Sequence, residues 1–499
     1  MELTKSARRT AHLASLPDAR AAGDPDGGCI DDDRQALTNA EFATRVQAAA
    51  ETFRDHGVGA GDVVASLLAN RVELVVAMFA AWRIGAAFTP INPALTAGEA
   101  AFQVQDSSAR VVVHEGAIID LPGVAAIEAA VLPVAPTRLP APASADANAL
   151  ALLIYTSGTT GRPKGVMLDH ANLTAMVAMI TAALELTSAD HSLLILPLFH
   201  VNGIVVSVLS PLAVGGSTTI TGRFSPSTFF DTIEAVRPTY FSAVPAIYAM
   251  LSALPDDLRP DTSPVRLAVC GAAPMPAELM ARFEDRYGII LVEGYGLSEG
   301  SCASTINPIH GPRKPGTVGR PLPDQDVALL GADGQPTREG SGEVIVRGPN
   351  VMRGYLNQPE ETARVLGGGW LHTGDVGRFD RDGYLVLVDR VKDMIIRGGE
   401  NIYPKEIENV LYKHPAVLEA AVVGRPHDVL GEEPVAFVAL RTPGSATPEE
   451  LIEKCGAVLA RYKIPRALTI VDALPKNPVG KIDKPALRRL LAPAGDRRP

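Results

Sequence analysis

Ala151-Leu-Leu-Ile-Tyr-Thr-Ser-Gly-Thr-Thr-Gly-Arg-Pro-Lys-Gly165 is an apolar run that opens directly into a polar, glycine-rich loop. Its first five residues read as a short buried strand. From Thr156 to Gly165 the chain then holds four hydroxyls, three glycines and two cations in ten residues. Glycines such as Gly158 and Gly161 let backbone N–H groups converge on an anion. The hydroxyls of Thr156, Ser157, Thr159 and Thr160 donate further hydrogen bonds, and Lys164 adds a compact positive charge. A loop of this density after a buried strand is suited to holding a polyphosphate, and a flexible Ser/Gly surface linker explains it less well.

The loop is not a Walker-type phosphate loop, because that pattern needs glycine where Pro163 stands, five positions after Gly158. Nor is there a dinucleotide fingerprint: after Gly294 and Gly296, the place of the third glycine is taken by Glu299. Working outward, short β-rich runs alternate with helical patterns, which predicts an α/β architecture with largely parallel sheets. Expected strands are Val111–His114, Leu152–Tyr155, Leu193–Leu196, Tyr240–Val244 and Leu267–Cys270. Expected helices are Asn39–His56, Arg71–Ile84, Ala171–Ala183, Ser227–Val236 and Pro276–Tyr287. After about residue 345 short strands with glycine turns predict a small β-lobe, including Glu343–Arg347 and Tyr384–Val388. From Asp393 a compact pattern begins, with Pro404 in the first turn of a helix, strands at Glu419–Val423 and Val435–Leu440, and a helix at Pro448–Arg461. The boundaries expected are a large domain at 1–391, a hinge at Lys392 and a small domain at 393–499.

The whole-chain properties narrow the function classes. With 499 residues, 46% hydrophobic and 20% charged, the composition is that of a globular protein large enough for more than one core. A net charge of −10 gives no positive field for a phosphate backbone, so nucleic acid is not an expected partner. Cys29, Cys270, Cys302 and Cys455 lie far apart and form no zinc-like cluster, which reads as reduced thiols in a cytoplasmic protein. The stretch after Lys5, Arg8 and Arg9 is too short and polar for a signal-peptide core. Leu193 to Gly216 is the most apolar region, but Pro197, His200, Asn202 and Pro211 interrupt it. A membrane span needs ~20 predominantly apolar residues, so this region reads as buried core.

Further segments occur in an order that carries a resemblance. They are LPLFH at 196–200, GAAPMP at 271–276, YGLSE at 295–299 and WLHTGD at 370–375. DRVKDMIIRGGENIYPKEIE at 389–408, ARYKIP at 460–465 and PKNPVGKIDK at 475–484 follow. Together with the Thr156–Gly165 loop, these resemble the adenylate-forming superfamily, in its acyl-CoA synthetase branch, over nearly the whole chain. The resemblance implies a large N-terminal domain of parallel-rich α/β sheets with a small β-lobe, and a small mobile C-terminal α+β domain. It also implies the reaction. A carboxylic acid and ATP give acyl-AMP and pyrophosphate; CoA then gives acyl-CoA and AMP.

By that resemblance the phosphate loop (Thr156–Gly161 and Lys164) holds ATP. Gly271, Ala272 and Ala273 form a backbone wall along the adenine, Tyr295 stacks near it with Gly296, and Ser298 reaches the α-phosphate. Glu299 is the magnesium-linked carboxylate, and Asp375 and Arg390 serve the ribose. Lys481 touches both the acid and the α-phosphate, a sensible place for a cation because two anions must meet there. This sequence has Val479 where the family usually carries Ser or Thr before the Gly-Lys. Lys392 falls at the hinge. Gly398, Gly399, Glu400 and Asn401 would line the channel for CoA, with Lys463 and Arg466 facing its phosphates.

By the same resemblance His200, Val201, Asn202, Gly203, Val244 and Gly294 are the expected acid-binding positions, with His200 equally readable as a packed core histidine. No charged residue is dedicated to a second carboxylate except Arg223, which would point to a dicarboxylate. The neutral set fits a medium- or long-chain fatty acid best. An aromatic or small dicarboxylic acid, and a carrier-protein thiol as acceptor, are the alternatives. The residues leave the oligomeric state open, a homodimer included. One competing motif remains: Gly296-Leu-Ser-Glu-Gly300 matches the nucleophile elbow of α/β-hydrolases, which requires a helix directly after it.

Overall fold

The computed structural model describes residues 12–116, 121–138, 142–143, 146–156, 163–390, 393–397, 400–427, 429–476 and 482–491. The chain divides into two compact units. One comprises Met1–Val327, Ile345–His372 and Arg381–Leu385; the other comprises Ala328–Val344, Thr373–Asp380 and Val386–Pro499. The second unit thus gathers residues from well before position 392, and Lys392 itself lies outside the described residues.

A nine-stranded sheet forms half of the first unit. Its order is Arg320–Pro321, Thr305–Ile306, Ile290–Tyr295, Leu267–Cys270, Tyr240–Ala243, His191–Leu194, Ser217–Ile220, Gly28–Asp31, Ala36–Thr38. The six strands from Ile290–Tyr295 to Gly28–Asp31 are parallel, and antiparallel strands close each end. Parallel sheets need both faces covered. Helices Phe229–Val236, Pro245–Ser252 and Ala277–Tyr287 supply Phe230, Ile233, Tyr248, Leu251 and Phe283 to a core that also holds Leu193, Phe241 and Leu291. Edge-to-face contacts lock these layers: Phe229 on Phe241 at 5.2 Å joins helix to sheet, and Tyr248 on Phe283 at 4.9 Å joins two helices.

The other sheet of this unit has seven strands, in the order Gly354–Tyr355, Lys164–Asp169, Leu150–Thr156, Ala87–Pro90, Val63–Leu67, Ala109–His114, Ala125–Glu128. Helix Val72–Arg83 is buried at all twelve positions, as expected of a helix that is apolar nearly all round. No described helix is long and apolar enough to cross a membrane. The apolar region after Leu193 instead forms a buried helix across Val201–Ala213, with a π-turn at Val205–Leu209.

The expected β-lobe is a five-stranded sheet of Pro336–Thr337, Asp326–Leu330, Gly342–Arg347, Leu371–Phe379 and Leu385–Arg390. In the C-terminal part of the second unit, Val417–His427 and Gly431–Leu440 form a long antiparallel hairpin, and Ala467–Val471 adds in parallel. Ile407, Leu411, Val422, Val438 and Leu451 fill the core under helices Pro404–Tyr412 and Pro448–Val458. The latter helix ends at Val458, three residues short of the expected Arg461, and Arg461–Lys463 form a separate 3₁₀ turn.

The strand His191–Leu194 also stops earlier than expected, since Pro197 cannot donate to a ladder. Ile195 to Leu198 leave the sheet while staying mostly buried, so their backbone needs partners from elsewhere. Asn70 provides them: its Nδ2 donates to Leu196 O at 2.9 Å and its Oδ1 accepts from Leu198 N at 2.9 Å. Asn70→Ala removes both at once. The expected result is a loss of about 1–3 kcal/mol in unfolding free energy, the cost of orphaning part-buried polar groups. A urea titration with an unchanged m-value checks it.

Candidate active site

The positions expected to meet the acid and the adenine converge because neighbouring parallel strands end level with one another. Ala243 pairs with Cys270, and Cys270 with Glu293, so Val244 and Gly271, which follow two of these strands, stand level with Gly294, where the third leaves its parallel pairing. The fourth strand, His191–Leu194, lies next to Tyr240–Ala243 and leads into Leu196–His200. This is the carboxyl edge, where open α/β sheets place ligands. An ideal Cβ on Gly271 would lie 3.8 Å from Gly294 O, so the two turns approach closely.

Local strain marks the same edge. Ala272 has φ +68°, a left-handed conformation that costs an alanine roughly 1–2 kcal/mol, and Ala272 and Ala273 are both exposed. Gly296 is fixed by sterics: a Cβ there would meet Cys302 O at 2.0 Å. In the segment expected to bind the acid, Gly203 faces the same constraint, since a Cβ added to it would lie 2.9 Å from Pro197 O. His200 is exposed at the start of helix Val201–Ile204, its ring tilted against Phe199 at 4.6 Å between ring centres, so it is not a packed core histidine. Asn202 Oδ1 is buried and has no hydrogen-bond partner among the described residues. Arg223 is exposed.

The hydroxyl-rich loop joins two antiparallel strands, with Thr156 opposite Lys164 and Tyr155 opposite Gly165. It therefore belongs to a hairpin, not to a strand-to-helix turn. Ser157, Gly158, Thr159, Thr160 and Gly161 lie outside the described residues. Lys164, at the head of the returning strand, is 6% exposed and pairs with Glu361, which also takes both donors of Arg364 at 2.7 Å. Arg364, and then Lys164, hold the Glu361 carboxyl down at about 2. The ammonium also lies 5.0 Å from the centre of the Tyr355 ring.

A strap that no sequence motif marks ties these parts together. Arg353 N donates to Met167 O at 3.0 Å and Leu356 N to Gly165 O at 2.8 Å, which seats residues 353–356 against the strand that bears Lys164. The same strap reaches the Ser298–Gly300 turn. Met352 N donates to Glu299 O at 2.8 Å, Asn350 Nδ2 to Gly300 O at 2.9 Å, and Tyr355 Oη to Glu299 Oε1 at 2.8 Å. The one sequence signal for it is Pro359 at a helix start followed by Glu360 and Glu361, beside a Gly354-Tyr355 pair.

Glu293 is a second residue absent from the sequence-based set. It is 2% exposed in the strand ahead of Gly294, and its Oε1 accepts from Met275 N at 2.9 Å while Oε2 has no partner among the described residues. Burial pushes its carboxyl up to about 7. The bond to Met275 fixes the far end of the Gly271–Pro276 turn to the strand beside it.

In the second unit, Asp375 is 9% exposed in strand Leu371–Phe379, after Gly374, whose N–H donates to Glu343 Oε1 at 2.8 Å. Lys463 donates to both oxygens of Glu406, at 2.8 and 2.7 Å, and Arg466 is exposed. Glu400 and Asn401 begin a strand paired with Ile395–Arg397, and Arg390 ends the strand Leu385–Arg390. Lys392, Gly398, Gly399 and Lys481 lie outside the described residues, as do the side chains of Arg390, Glu400 and Asn401. The ends of the segment that contains Lys481 are nevertheless pinned: Asp483 N donates to Pro475 O at 2.8 Å, and Lys476 bridges to Ile482.

Two chemistries are excluded. No helix follows Gly296–Gly300; a 3₁₀ turn at Ser298–Gly300 leads through Ser301, φ +62°, into Thr305–Ile306, which returns antiparallel to Gly294–Tyr295. GLSEG is therefore not a nucleophile elbow. Burial also pushes the Cys29 and Cys455 thiols up to about 11 and Cys302 up to about 12, so none of these is a thiolate nucleophile. Among the described residues no group of three His, Cys, Asp or Glu could by itself hold a metal. One carboxylate near substrate phosphates is instead the way magnesium is commonly held, and Glu299 fits that use.

A polyphosphate-type hairpin, an acidic turn and glycine-lined strand ends on one parallel-rich scaffold define an adenylate-forming enzyme. The chain belongs to the AMP-binding enzyme family: its AMP-binding enzyme model matches residues 16–356, and the AMP-binding enzyme C-terminal domain matches 406–481. A feruloyl-CoA synthase from Amycolatopsis is 38% identical over 96% of this chain and 99% of its own length. A long-chain-fatty-acid–CoA ligase from Bacillus subtilis is 34% identical, covering 96% of this chain and 94% of its own. The o-succinylbenzoate CoA synthetase of Bacillus subtilis, solved with ATP and magnesium ion, superimposes with a TM-score of 0.85 at 31% identity over 96% and 99% of the two chains. The chain is an AMP-forming CoA ligase, an acid–thiol ligase.

Glu293 gives this site a measurable signature. A folded-state pKa of about 7 against an ordinary value of 4.5 means that the native state binds the proton more tightly. Its contribution to stability is thus complete below about pH 4.5 and is lost as pH rises toward 7, by about 3 kcal/mol at 1.36 kcal/mol per unit. Glu293→Gln keeps the acceptor for Met275 N and removes the titration. Urea unfolding between pH 5 and 8 should show a decline in the parent protein that is absent in the variant; parallel curves would refute the assignment.

Proposed function

We propose that this ligase activates an acid with an apolar body and a single carboxylate: acid and ATP give acyl-AMP and pyrophosphate, and CoA then gives acyl-CoA and AMP. The reading rests most on the acid-binding positions. Val201, Asn202, Gly203, Val244 and Gly294 bring no charged group, and Arg223, the one candidate partner for a second carboxylate, is exposed. A CoA acceptor is supported over a carrier protein by the names of the relatives. Of the two apolar classes, an aromatic acid of the hydroxycinnamate kind is favoured by the 38% identity to feruloyl-CoA synthase; a long-chain fatty acid, at 34%, is the second reading.

In this reading the meeting of two anions is the barrier. Lys481 neutralises the acid carboxylate and the α-phosphate as the carboxylate oxygen attacks phosphorus and pyrophosphate leaves. Lys164 and the phosphate-loop hydroxyls hold the leaving phosphates. Asp375 accepts from the ribose hydroxyls, and Gly271–Ala273 and Tyr295 enclose the adenine. Magnesium, when bound, screens phosphate charge, with Glu299 as its link to the protein. Thioester formation then exposes the acyl carbonyl to a thiol, so Lys481 leaves and the Gly398–Asn401 turn enters by rotation about Lys392.

Three measurements test it. In a panel of ferulate, benzoate, hexanoate, palmitate and malonate, AMP release with CoA should give the highest kcat/KM for ferulate; malonate at the top would reject an apolar pocket. Lys481→Ala should lose acyl-adenylate formation while converting supplied acyl-AMP and CoA to thioester; an equal fall in both half-reactions sinks its assignment. Asp375→Ala should weaken ATP binding on the order of a hundredfold in calorimetry, since two charge-assisted bonds are worth about 1.5–3 kcal/mol each, with acid binding little changed.

A further inference from the structure

The strap residue Tyr355 stands apart from four other buried tyrosines. Tyr240, Tyr248, Tyr287 and Tyr384 satisfy their hydroxyls on backbone carbonyls, of Val206, Val269, Leu251 and Pro312 respectively, at 2.6–2.7 Å. That is the ordinary structural solution for a buried phenol. Tyr355, 7% exposed, donates to the carboxylate of Glu299 at 2.8 Å and turns its ring toward Lys164, whose ammonium lies 5.0 Å from the ring centre. Its own place is set by the backbone: its N–H donates to Thr362 Oγ1 at 2.8 Å, and it sits opposite Val166 in the ladder with the Lys164 strand.

We propose that Tyr355 is a positioning residue for adenylation, holding the metal-linking carboxylate of Glu299 and the phosphate-facing ammonium of Lys164 in fixed relation to each other. The inference rests on Glu299 serving magnesium. Glu299 sits on a three-residue turn, where a free carboxylate samples several rotamers; a hydrogen bond on Oε1 selects one and leaves Oε2 for a metal or its waters. The ring carries the cation without a competing acceptor, so Lys164 can exchange Glu361 for a phosphate while staying on the same face. Preorganised charge of this kind acts as outer-shell partners of metal ligands do, fixing a ligand's orientation before the substrate arrives.

The test is equilibrium binding of ATP by calorimetry, with magnesium and with EDTA, to the parent, Tyr355→Phe and Glu299→Gln proteins. Tyr355→Phe keeps the ring under Lys164 and deletes one hydrogen bond to a charged group, so it should cut the magnesium-linked gain in ATP affinity about tenfold. Its affinity in EDTA should match the parent, which also shows that the site is folded. Glu299→Gln should abolish the magnesium-linked gain. A parental gain in Tyr355→Phe alongside a lost gain in Glu299→Gln overturns the role of Tyr355 and leaves Glu299 standing. A parental gain in Glu299→Gln overturns the magnesium assignment, and the positioning role falls with it. A loss of affinity in EDTA as large as that with magnesium would make Tyr355 a structural residue only.

Discussion

Level strand ends are the constraint on which the proposed acid and adenine side of this protein depends. Parallel pairing fixes Ala243, Cys270 and Glu293 side by side, and every one of these positions is buried. A slip of two residues in any of these strands would keep its faces correct and still move its loop by about 7 Å along the sheet, at roughly 3.3 Å per residue. The aromatic core beneath them, Phe229, Phe241, Tyr248 and Phe283, resists such slips because each ring meets a neighbour edge-on. Packing far from the loops thus decides whether the loops meet.

The proposed polyphosphate side depends on a different device. Its pieces come from three separated stretches of chain, the hairpin that bears Lys164, the Ser298–Gly300 turn and the strap at 350–356, and they are joined mainly at backbone carbonyls, which accept from strap N–H groups and from the Asn350 amide. Asn172 extends the pattern by donating to both Pro349 O and Val351 O at 2.9 Å. Such joins depend little on the identity of the side chains along the strap, which is why nothing about Met352 or Arg353 stands out in the sequence.

Much of the fold was legible because its signals are local. Leu267–Cys270 forms the expected strand to the residue, and helices such as Asn39–Asp55 and His170–Ala183 fall within a residue of expectation. What could not be read was pairing. Nothing between Ala151 and Gly165 states that the outgoing strand will be antiparallel, since that depends on Val166–Leu168 finding Leu152–Ile154. The exposure of His200 and the burial of Glu293 were likewise hidden, because each is set by neighbours distant in sequence. Glu293 in particular reads as a surface acid until the sheet is assembled. The second unit takes in stretches of the β-lobe, Ala328–Val344 and Thr373–Asp380, as well as the chain from Val386 on, which no single composition change marks.

The hairpin stem has one more consequence. Thr156 and Lys164 face each other across a ladder, so the ends of the intervening segment are held at a fixed separation whatever lies between them. Closing such a segment costs little more when it grows, about 0.6 kcal/mol for each doubling of length. The stem is therefore a splice point: loops of other lengths or compositions can be exchanged there as cassettes, with the ladder below serving as a common socket.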